Sequence, residues 1–162
     1  MEMIPLKQMD KNNRSFEDIK HIDENGAEFW YARELMKLLS YKDWRYFDAV
    51  IEKAKITCQN SGISEIDNFV VNNKMVEIAY GSKRKQKDYK LTRYACYIII
   101  QNADSRKKAV ALAKTYIATQ TRKRELSENY YKLAEDLFLM TLKQQYMTYT
   151  NKSLKKGECD YL

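Results

Sequence analysis

Lysine and arginine side chains suited to phosphate contacts are concentrated in one part of this sequence. Residues 83–124 contain 13 Lys and Arg against 2 Asp and Glu, whereas the rest of the chain has 16 against 20. Ammonium and guanidinium groups donate charge-assisted hydrogen bonds to phosphate oxygens. Because the positive charge is regional, it indicates a polyanionic partner for that region.

The residues that we predict to contact nucleic acid fall into three groups: a charged run, the positions just after that run, and a later basic cluster. They are Lys83, Arg84, Lys85, Lys87, Lys90, Arg93, Arg122, Lys123 and Arg124. If six cations of this region neutralise phosphates on duplex DNA, the log–log slope of affinity against salt should be about −5. Two alternatives stay open: a solvated basic face that only keeps the protein soluble, and a membrane surface as the polyanion.

Residues able to carry catalysis or to bind a metal are few. The single histidine, His21, is expected to be structural or exposed, and the sequence contains no G-x-x-x-x-G-K-[ST], G-x-S-x-G or H-E-x-x-H motif. Cys58, Cys96 and Cys159 lack C-x-x-C spacing, and the first two are expected to be small buried apolar side chains. We therefore expect a protein that is not an enzyme and has no cofactor or metal. A nuclease assembled from distant acids is the alternative.

The composition predicts one helix-rich domain with a helical appendage. The chain has 162 residues, 44% hydrophobic, with 4 Gly and 1 Pro. No segment reaches the roughly 18 consecutive apolar residues that span a bilayer. The first residues lack the apolar core of a secretory signal. We therefore expect a cytoplasmic protein.

The first half of the chain predicts a hairpin followed by two helices. Asn25-Gly26 suits a tight turn between strands at 21–23 and 27–31. Helices are expected at 32–39 and at about 43–58, the second with Phe47, Val50, Ile51, Ala54 and Cys58 on one face. This pair resembles a helix-turn-helix, and ordinary helix packing is the alternative.

The basic run is predicted to lie in a loop between paired strands. Short apolar runs at 69–71 and 75–78 and an extended segment at 87–91 flank the basic residues 79–86. A basic hairpin beside two helices is the general layout of a winged DNA-binding module.

Two further helices are predicted beyond the basic run. Thr92 is suited to cap a helix over 93–101 that is apolar nearly all round and therefore central to the core. Asp104 or Ser105 is expected to cap a long helix from about Arg106 to about Tyr149. The polar tail, with a break at residues 155–157, is expected to be flexible.

The long helix has apolar side chains at alternating spacings of four and three. We call this set the seam; the residues that we predict to bind a partner are Leu126, Tyr130, Leu133, Leu137 and Met140. The seam is expected to pack either on its own domain or on another chain, which makes a homo-oligomer one predicted assembly.

Aromatic residues near the basic run offer possible stacking surfaces. Tyr94 and Tyr97 are expected to be buried rather than to stack on bases. Trp44 and Tyr46 lie where a recognition helix presents its first residues, and covering the core is their alternative role.

Together these patterns predict an α+β, helix-rich domain with small antiparallel β-hairpins, winged-helix-like, and a long carboxy-terminal helix. The expected divisions are a flexible terminus at 1–14, the α+β domain at 15–126, a helical extension at 127–150 and a flexible tail at 151–162.

A series of short blocks in the sequence resembles a known family. In order they are FEDIK (16–20), NGAEFW (25–30), AREL (32–35), EKAK (52–55), CQNSG (58–62), MVEI (75–78), SKRKQKD (82–88), RYACY (93–97), QNAD (101–104) and QTR (120–122). They resemble the DNA-damage-inducible protein D family of bacteria, which is related to the amino-terminal domain of phage antirepressors and baculovirus BRO proteins. In that family many members have proline where this chain has Ser105, and they usually continue with a further helical region.

The resemblance implies a compact α+β module that associates with DNA. It implies an accessory protein of the SOS response that acts on single- or double-stranded DNA or on the RecA recombinase filament. The alternative is a protein-interaction module, of oligomerisation or phage antirepressor type, without direct DNA binding. Neither expectation involves a membrane.

Overall fold

The computed structural model describes residues 14–159, with side chains through residue 152. Residues 1–13 of the predicted flexible terminus and 160–162 of the predicted tail lie outside this part. Contacts divide the chain into two compact units, one reaching Ala118 and one starting at Thr119, and each is described by itself. Within residues 14–159, no helix combines the length and apolar character needed to cross a membrane.

The described chain mixes helices with short antiparallel strands. The strands are β1 (His21–Ile22), β2 (Glu28–Tyr31), β3 (Phe69–Val71), β4 (Lys74–Glu77), β5 (Lys83–Gln86) and β6 (Tyr89–Leu91). The helices are α1 (Ala32–Leu38), α2 (Trp44–Asn60), α3 (Glu65–Asn68), α4 (Arg93–Asn102) and α5 (Lys108–Cys159), with 3-10 turns at Glu17–Ile19 and Ala79–Gly81. The predicted α+β class with a long carboxy-terminal helix is confirmed, and winged-helix-like describes it only loosely.

The predicted first hairpin is confirmed and is closed by a side-chain cap. Strand β1 pairs with β2 antiparallel. In the turn, Asp23 Oδ1 accepts hydrogen bonds from the backbone N–H of Asn25 at 2.9 Å and of Ala27 at 2.8 Å. Gly26 has φ +81°, a conformation that glycine adopts without steric cost. Asp23 and Gly26 therefore determine where the strands reverse.

Four strands form one sheet in the order β1-β2-β6-β3. Leu91 of β6 is opposite both Trp30 and Phe69, and the next position of β6, Lys90, is opposite Tyr31. Successive side chains on a strand point to opposite faces. Trp30, Phe69 and Leu91 are buried, so one face of the sheet covers the core and the other carries Tyr31 and Lys90.

The core lies between the sheet and helices α1, α2 and α4. The apolar face predicted for α2, from Phe47 to Cys58, is buried throughout. Thr92 Oγ1 accepts a hydrogen bond from the Ala95 N–H at 3.1 Å, which confirms the predicted cap of α4. The predicted central position of α4 is also confirmed, since five of its residues are buried.

The prediction of a basic loop over residues 79–86 is wrong. Residues 83–86 form strand β5, which pairs antiparallel with β4, and the turn between them is held by the Ile78 N–H donating to the Ser82 carbonyl at 2.8 Å. Tyr80 has φ +69° in that turn. Both faces of this hairpin are exposed, so β5 carries no alternating apolar pattern from which a strand could have been inferred.

Helix α5 begins later and ends later than predicted. Asp104 Oδ1 accepts from the Arg106 N–H at 3.0 Å, and the Lys107 N–H donates to the Asp104 carbonyl, so these residues form a turn before the helix. The helix then continues to Cys159, through residues 151–159 that we assigned to a flexible tail. Gly157 did not end it because one glycine costs a helix only about 1 kcal/mol relative to alanine.

Candidate nucleic-acid interface

The basic hairpin, defined as strands β4 and β5 with their turn (residues 74–86), carries three of the predicted DNA contacts. Lys83, Arg84 and Lys85 lie on β5 and are all exposed. Alternation along the strand directs Lys83 and Lys85 to one face and Arg84 to the other. The hairpin therefore presents positive charge in two directions.

These three cations are available for a ligand. Within residues 14–159, no ion pair joins Lys83, Arg84 or Lys85 to a carboxylate. Glu77 is opposite Lys83 in the strand register and is the acid of the hairpin itself. The charge of β5 is thus largely uncompensated in the folded protein.

Two other predicted contacts already have partners within the protein. Lys87 Nζ lies 2.9 Å from Asp48 Oδ2 and 5.2 Å from the Tyr89 ring centre. Burial alone would lower the pKa of Lys87, but its hydrogen bonds to Tyr89 and Asp48 raise it. Lys90 Nζ lies 4.8 Å from the centre of the Phe29 ring.

Arg93 joins three segments that are distant in sequence. Its Nη1 donates to Glu17 Oε1 at 2.6 Å, and its Nε donates to Glu28 Oε1 at 2.7 Å. The guanidinium carbon lies 4.9 Å from the Trp30 ring centre and 5.6 Å from that of Phe16. Hydrogen bonding to Arg93 lowers the pKa of both glutamates. These contacts hold the segments of Glu17 and Glu28 against the start of α4. A DNA contact by Arg93 stays a prediction.

The base of the basic hairpin is held by a buried carboxylate. Asp88 Oδ1 accepts from the N–H of Arg33 at 3.1 Å and of Tyr89 at 2.9 Å, and the Asp88 carbonyl accepts from the Asn72 N–H. Arg33 Nε also donates to the Lys87 carbonyl at 2.9 Å. Burial raises the pKa of Asp88, although these backbone hydrogen bonds oppose the shift. The hairpin is thereby attached to α1 and to the sheet.

The sheet face opposite the core carries a group of rings and cations that the sequence reasoning missed. We call it the aromatic face. Ring centres lie 5.4 Å apart for His21 and Phe29, 4.8 Å for His21 and Tyr31, and 5.2 Å for Phe29 and Tyr31. Lys74 Nζ lies 3.6 Å from the Tyr31 ring centre, and Lys90 covers Phe29. The sequence signal that could have found this face is the placement of Phe29 and Tyr31 on either side of Trp30, because alternate residues of a strand share a face.

Tyr94, Tyr97 and Trp44 differ in how far their side chains are buried. The prediction that Tyr94 is buried is wrong: its side chain is 40% exposed, because Ala95, Cys96 and the isoleucines occupy the core face of α4. Tyr97 packs against the core while partly exposed. Trp44 covers the core, with the Arg33 guanidinium 4.1 Å above its ring.

The basic cluster of Arg122, Lys123 and Arg124 and the seam both belong to the second unit. Arg122 Nη1 is 3.0 Å from Glu125 Oε2, and Arg124 Nε is 2.8 Å from Glu128 Oε1. Such exposed helical pairs contribute only about 0.3–0.5 kcal/mol, so an anion could replace the acids. Lys123 lies between these arginines on α5. The seam residues Leu126, Tyr130, Leu133, Leu137 and Met140 are all exposed.

The reactive side chains of the first unit are engaged or buried. His21 Nε2 lies 2.6 Å from Glu34 Oε2. Cys58 and Cys96 are buried free thiols, as predicted, and burial raises the pKa of both. Across the described residues, no three His, Cys, Asp or Glu side chains are arranged to hold a metal ion.

Comparison with known proteins identifies the family. The chain is 45% identical over 130 residues to DNA damage-inducible protein D of Escherichia coli (strain K12), an alignment covering 79% of this chain and 47% of that protein. The chain thus spans about half the length of that relative. No solved structure gives a significant match. Residues 18–118 match the N-terminal domain of the BRO family. The resemblance read from the ordered blocks is therefore confirmed, and the chain belongs to the BRO family through its N-terminal domain.

Proposed function

We propose that this protein is a non-enzymatic regulator in the bacterial DNA-damage (SOS) response that binds DNA through the basic hairpin and by this route influences the RecA recombinase filament. Its relative is named for induction by DNA damage, and that link supports the cellular context. The observation that carries DNA binding is the set of three exposed cations on β5 with no acidic partner in the described part of the chain.

The non-enzymatic part of the proposal is supported by the state of the reactive groups. A nucleophile or general base must reach its substrate in the right protonation state. His21 Nε2 is hydrogen-bonded to Glu34 Oε2, and the thiols of Cys58 and Cys96 are buried with raised pKa values. These groups serve packing and internal bonding, while the uncompensated cations lie elsewhere.

The salt dependence of DNA binding tests the proposal. Three phosphate contacts predict a log–log slope of about −2.7 for duplex DNA, shallower than the slope of about −5 that six contacts would give. Fluorescence anisotropy with labelled oligonucleotides between 50 and 300 mM salt measures it. Absence of binding at low salt, or affinity independent of salt, would refute DNA binding by the hairpin. The same titration with RecA filaments tests the second target.

A protein-interaction role is the second candidate, and the seam favours it. The apolar side chains at these positions in α5 are exposed, and a heptad repeat is the pattern by which helices pair. Self-association through the seam would cover them.

Aspartate at two seam positions should weaken self-association. We expect Leu133→Asp with Leu137→Asp to raise the dimer dissociation constant at least about 100-fold, because each paired helix would bury two unpaired carboxylates. Sedimentation velocity over a concentration series measures the change. Tyr131→Asp with Phe138→Asp, which replaces two exposed aromatic side chains outside the seam, is the control. A wild-type protein that sediments only as a monomer would exclude this assembly.

A further inference from the structure

We propose that the aromatic face binds single-stranded DNA, with bases stacked on Phe29 and Tyr31 and phosphates held by Lys74, Lys90 and the basic hairpin. The inference rests on the proposed DNA binding and adds a second surface and a strand preference to it. Nucleic acid is the occupant because the face combines rings with ammonium groups, as bases and phosphates require.

The sheet register places the components on one surface. Trp30 and Leu91 pair across β2 and β6 and are fully buried. Their neighbours Tyr31 and Lys90 pair one position away and so share the opposite face. Phe29 pairs with His21 on that same face. The grouping is fixed by backbone pairing, so the rings are positioned before any ligand arrives.

The rings are covered by cations that can leave. Lys90 Nζ lies 4.8 Å from the Phe29 ring centre, and Lys74 Nζ lies 3.6 Å from that of Tyr31. Exposed cation–π contacts are weak, and a lysine side chain has four rotatable bonds. A base can take the position over each ring while the displaced ammonium turns to the adjoining phosphate. One exchange therefore satisfies both parts of a nucleotide.

The geometry favours unpaired bases over a duplex. The Phe29 and Tyr31 rings are nearly perpendicular, at 87° with centres 5.2 Å apart. In a duplex the base faces are stacked inside the helix, whereas a single strand can turn each base onto a separate ring. Glu34, an acid in contact with this face, is hydrogen-bonded to His21, and the buried Asp88 interacts with Lys74.

The aromatic face and the basic hairpin are continuous. Lys74, which lies over Tyr31, is the first residue of β4. The Asn72 N–H donates to the Asp88 carbonyl at 2.9 Å, extending the pairing of the sheet to the base of the hairpin. Lys74 is opposite Gln86 in the strand register, so Arg84 shares its face of the hairpin, while Lys83 and Lys85 lie on the other face. A strand stacked on the rings therefore passes along Lys74 to Arg84.

Leucine in place of the two rings tests the stacking. Leucine keeps apolar bulk on the sheet but removes the flat face. We expect Phe29→Leu with Tyr31→Leu to weaken binding of a 12-nucleotide oligo-dT about 100-fold, roughly tenfold for each ring. Duplex binding should be unchanged within about threefold. Anisotropy at 100 mM salt measures both, and circular dichroism checks the fold.

Two controls keep the result interpretable. Tyr46→Leu removes an exposed ring that also lies under a cation, Arg45 at 5.1 Å, but outside the face; it should leave oligo-dT binding unchanged. If the leucine variants do not fold, the wild-type protein still decides: an abasic 12-mer of equal charge should bind about 100-fold more weakly than oligo-dT.

The outcomes separate this inference from the proposed function. Equal affinity for the abasic and oligo-dT strands, with binding still dependent on the basic hairpin, would overturn the aromatic face alone. No binding of single-stranded or duplex DNA at low salt would overturn both. Tighter binding of oligo-U RNA than of oligo-dT would overturn the assignment to DNA.

Discussion

Replacing Lys83 and Arg84 by glutamate should lower the affinity for DNA at least about 100-fold at 50 mM salt. Each substitution removes one phosphate contact and places a carboxylate against the DNA backbone, and each 1.4 kcal/mol lost is a factor of ten. Both side chains are exposed, and neither has an ion-pair partner in residues 14–159. Because Lys83→Glu places a second carboxylate opposite Glu77, the thermal unfolding temperature should fall slightly.

A matched variant shows whether the loss of affinity comes from the hairpin contacts or from the change in net charge. Lys42→Glu with Lys53→Glu changes the net charge by the same amount at exposed positions away from the hairpin, and it should reduce affinity only a few-fold. If both double variants lose affinity equally, the hairpin is not the contact surface. Anisotropy with the same oligonucleotides gives the comparison.

Replacing Arg93 by methionine should destabilise the protein by about 2 kcal/mol at pH 7. The variant loses the hydrogen bonds to Glu17 and Glu28. The figure is kept low because both acids are partly exposed to solvent and keep Lys20, whose Nζ lies 3.5 and 3.6 Å from them, as a cationic partner. Methionine preserves much of the packing over Phe16 and Trp30. Urea unfolding followed by tryptophan fluorescence measures the loss.

The pH dependence of this loss identifies its cause. The pKa values of Glu17 and Glu28 are lowered in the folded state from 4.5. Their contribution to stability is therefore fully present above pH 4.5 and disappears as the pH falls through the lowered values. The difference between wild type and Arg93→Met should shrink below pH 4.5. Arg106→Met breaks a comparable pair, but at a 91% exposed side chain, and should not change the free energy of unfolding measurably. A constant difference down to pH 3 would assign the loss to packing.

Local signals in the sequence were sufficient for most of the helices and turns. The face of α2 follows a 3.6-residue period, the Thr92 cap involves a residue three positions away, and the Asn25-Gly26 turn depends on its own backbone preference. Each involves interactions within one element or between neighbours in sequence. The family could likewise be recognised from short blocks of consecutive residues.

Two features that could not be predicted depend on residues far apart in sequence. The internal hydrogen bonds of Arg93 could not be predicted because its partners, Glu17 and Glu28, lie 76 and 65 positions away. The aromatic face requires β6 to be placed beside β2. Strand β5 could not be predicted because it has no buried side. Only its hydrogen bonding to β4 makes it a strand. Side-chain periodicity reports none of these pairings.

The sheet order also constrains how the protein folds during synthesis. Because β6 lies between β2 and β3, neither Trp30 nor Phe69 has its neighbour until Leu91 has left the ribosome. At about 5–20 residues per second, the 61 residues from Tyr31 to Leu91 take about 3–12 seconds to translate. Over that interval the β1–β2 hairpin is a two-stranded ribbon, which is only marginally stable in water. Closure of the sheet is thus a late, non-local event, and such pairings slow folding.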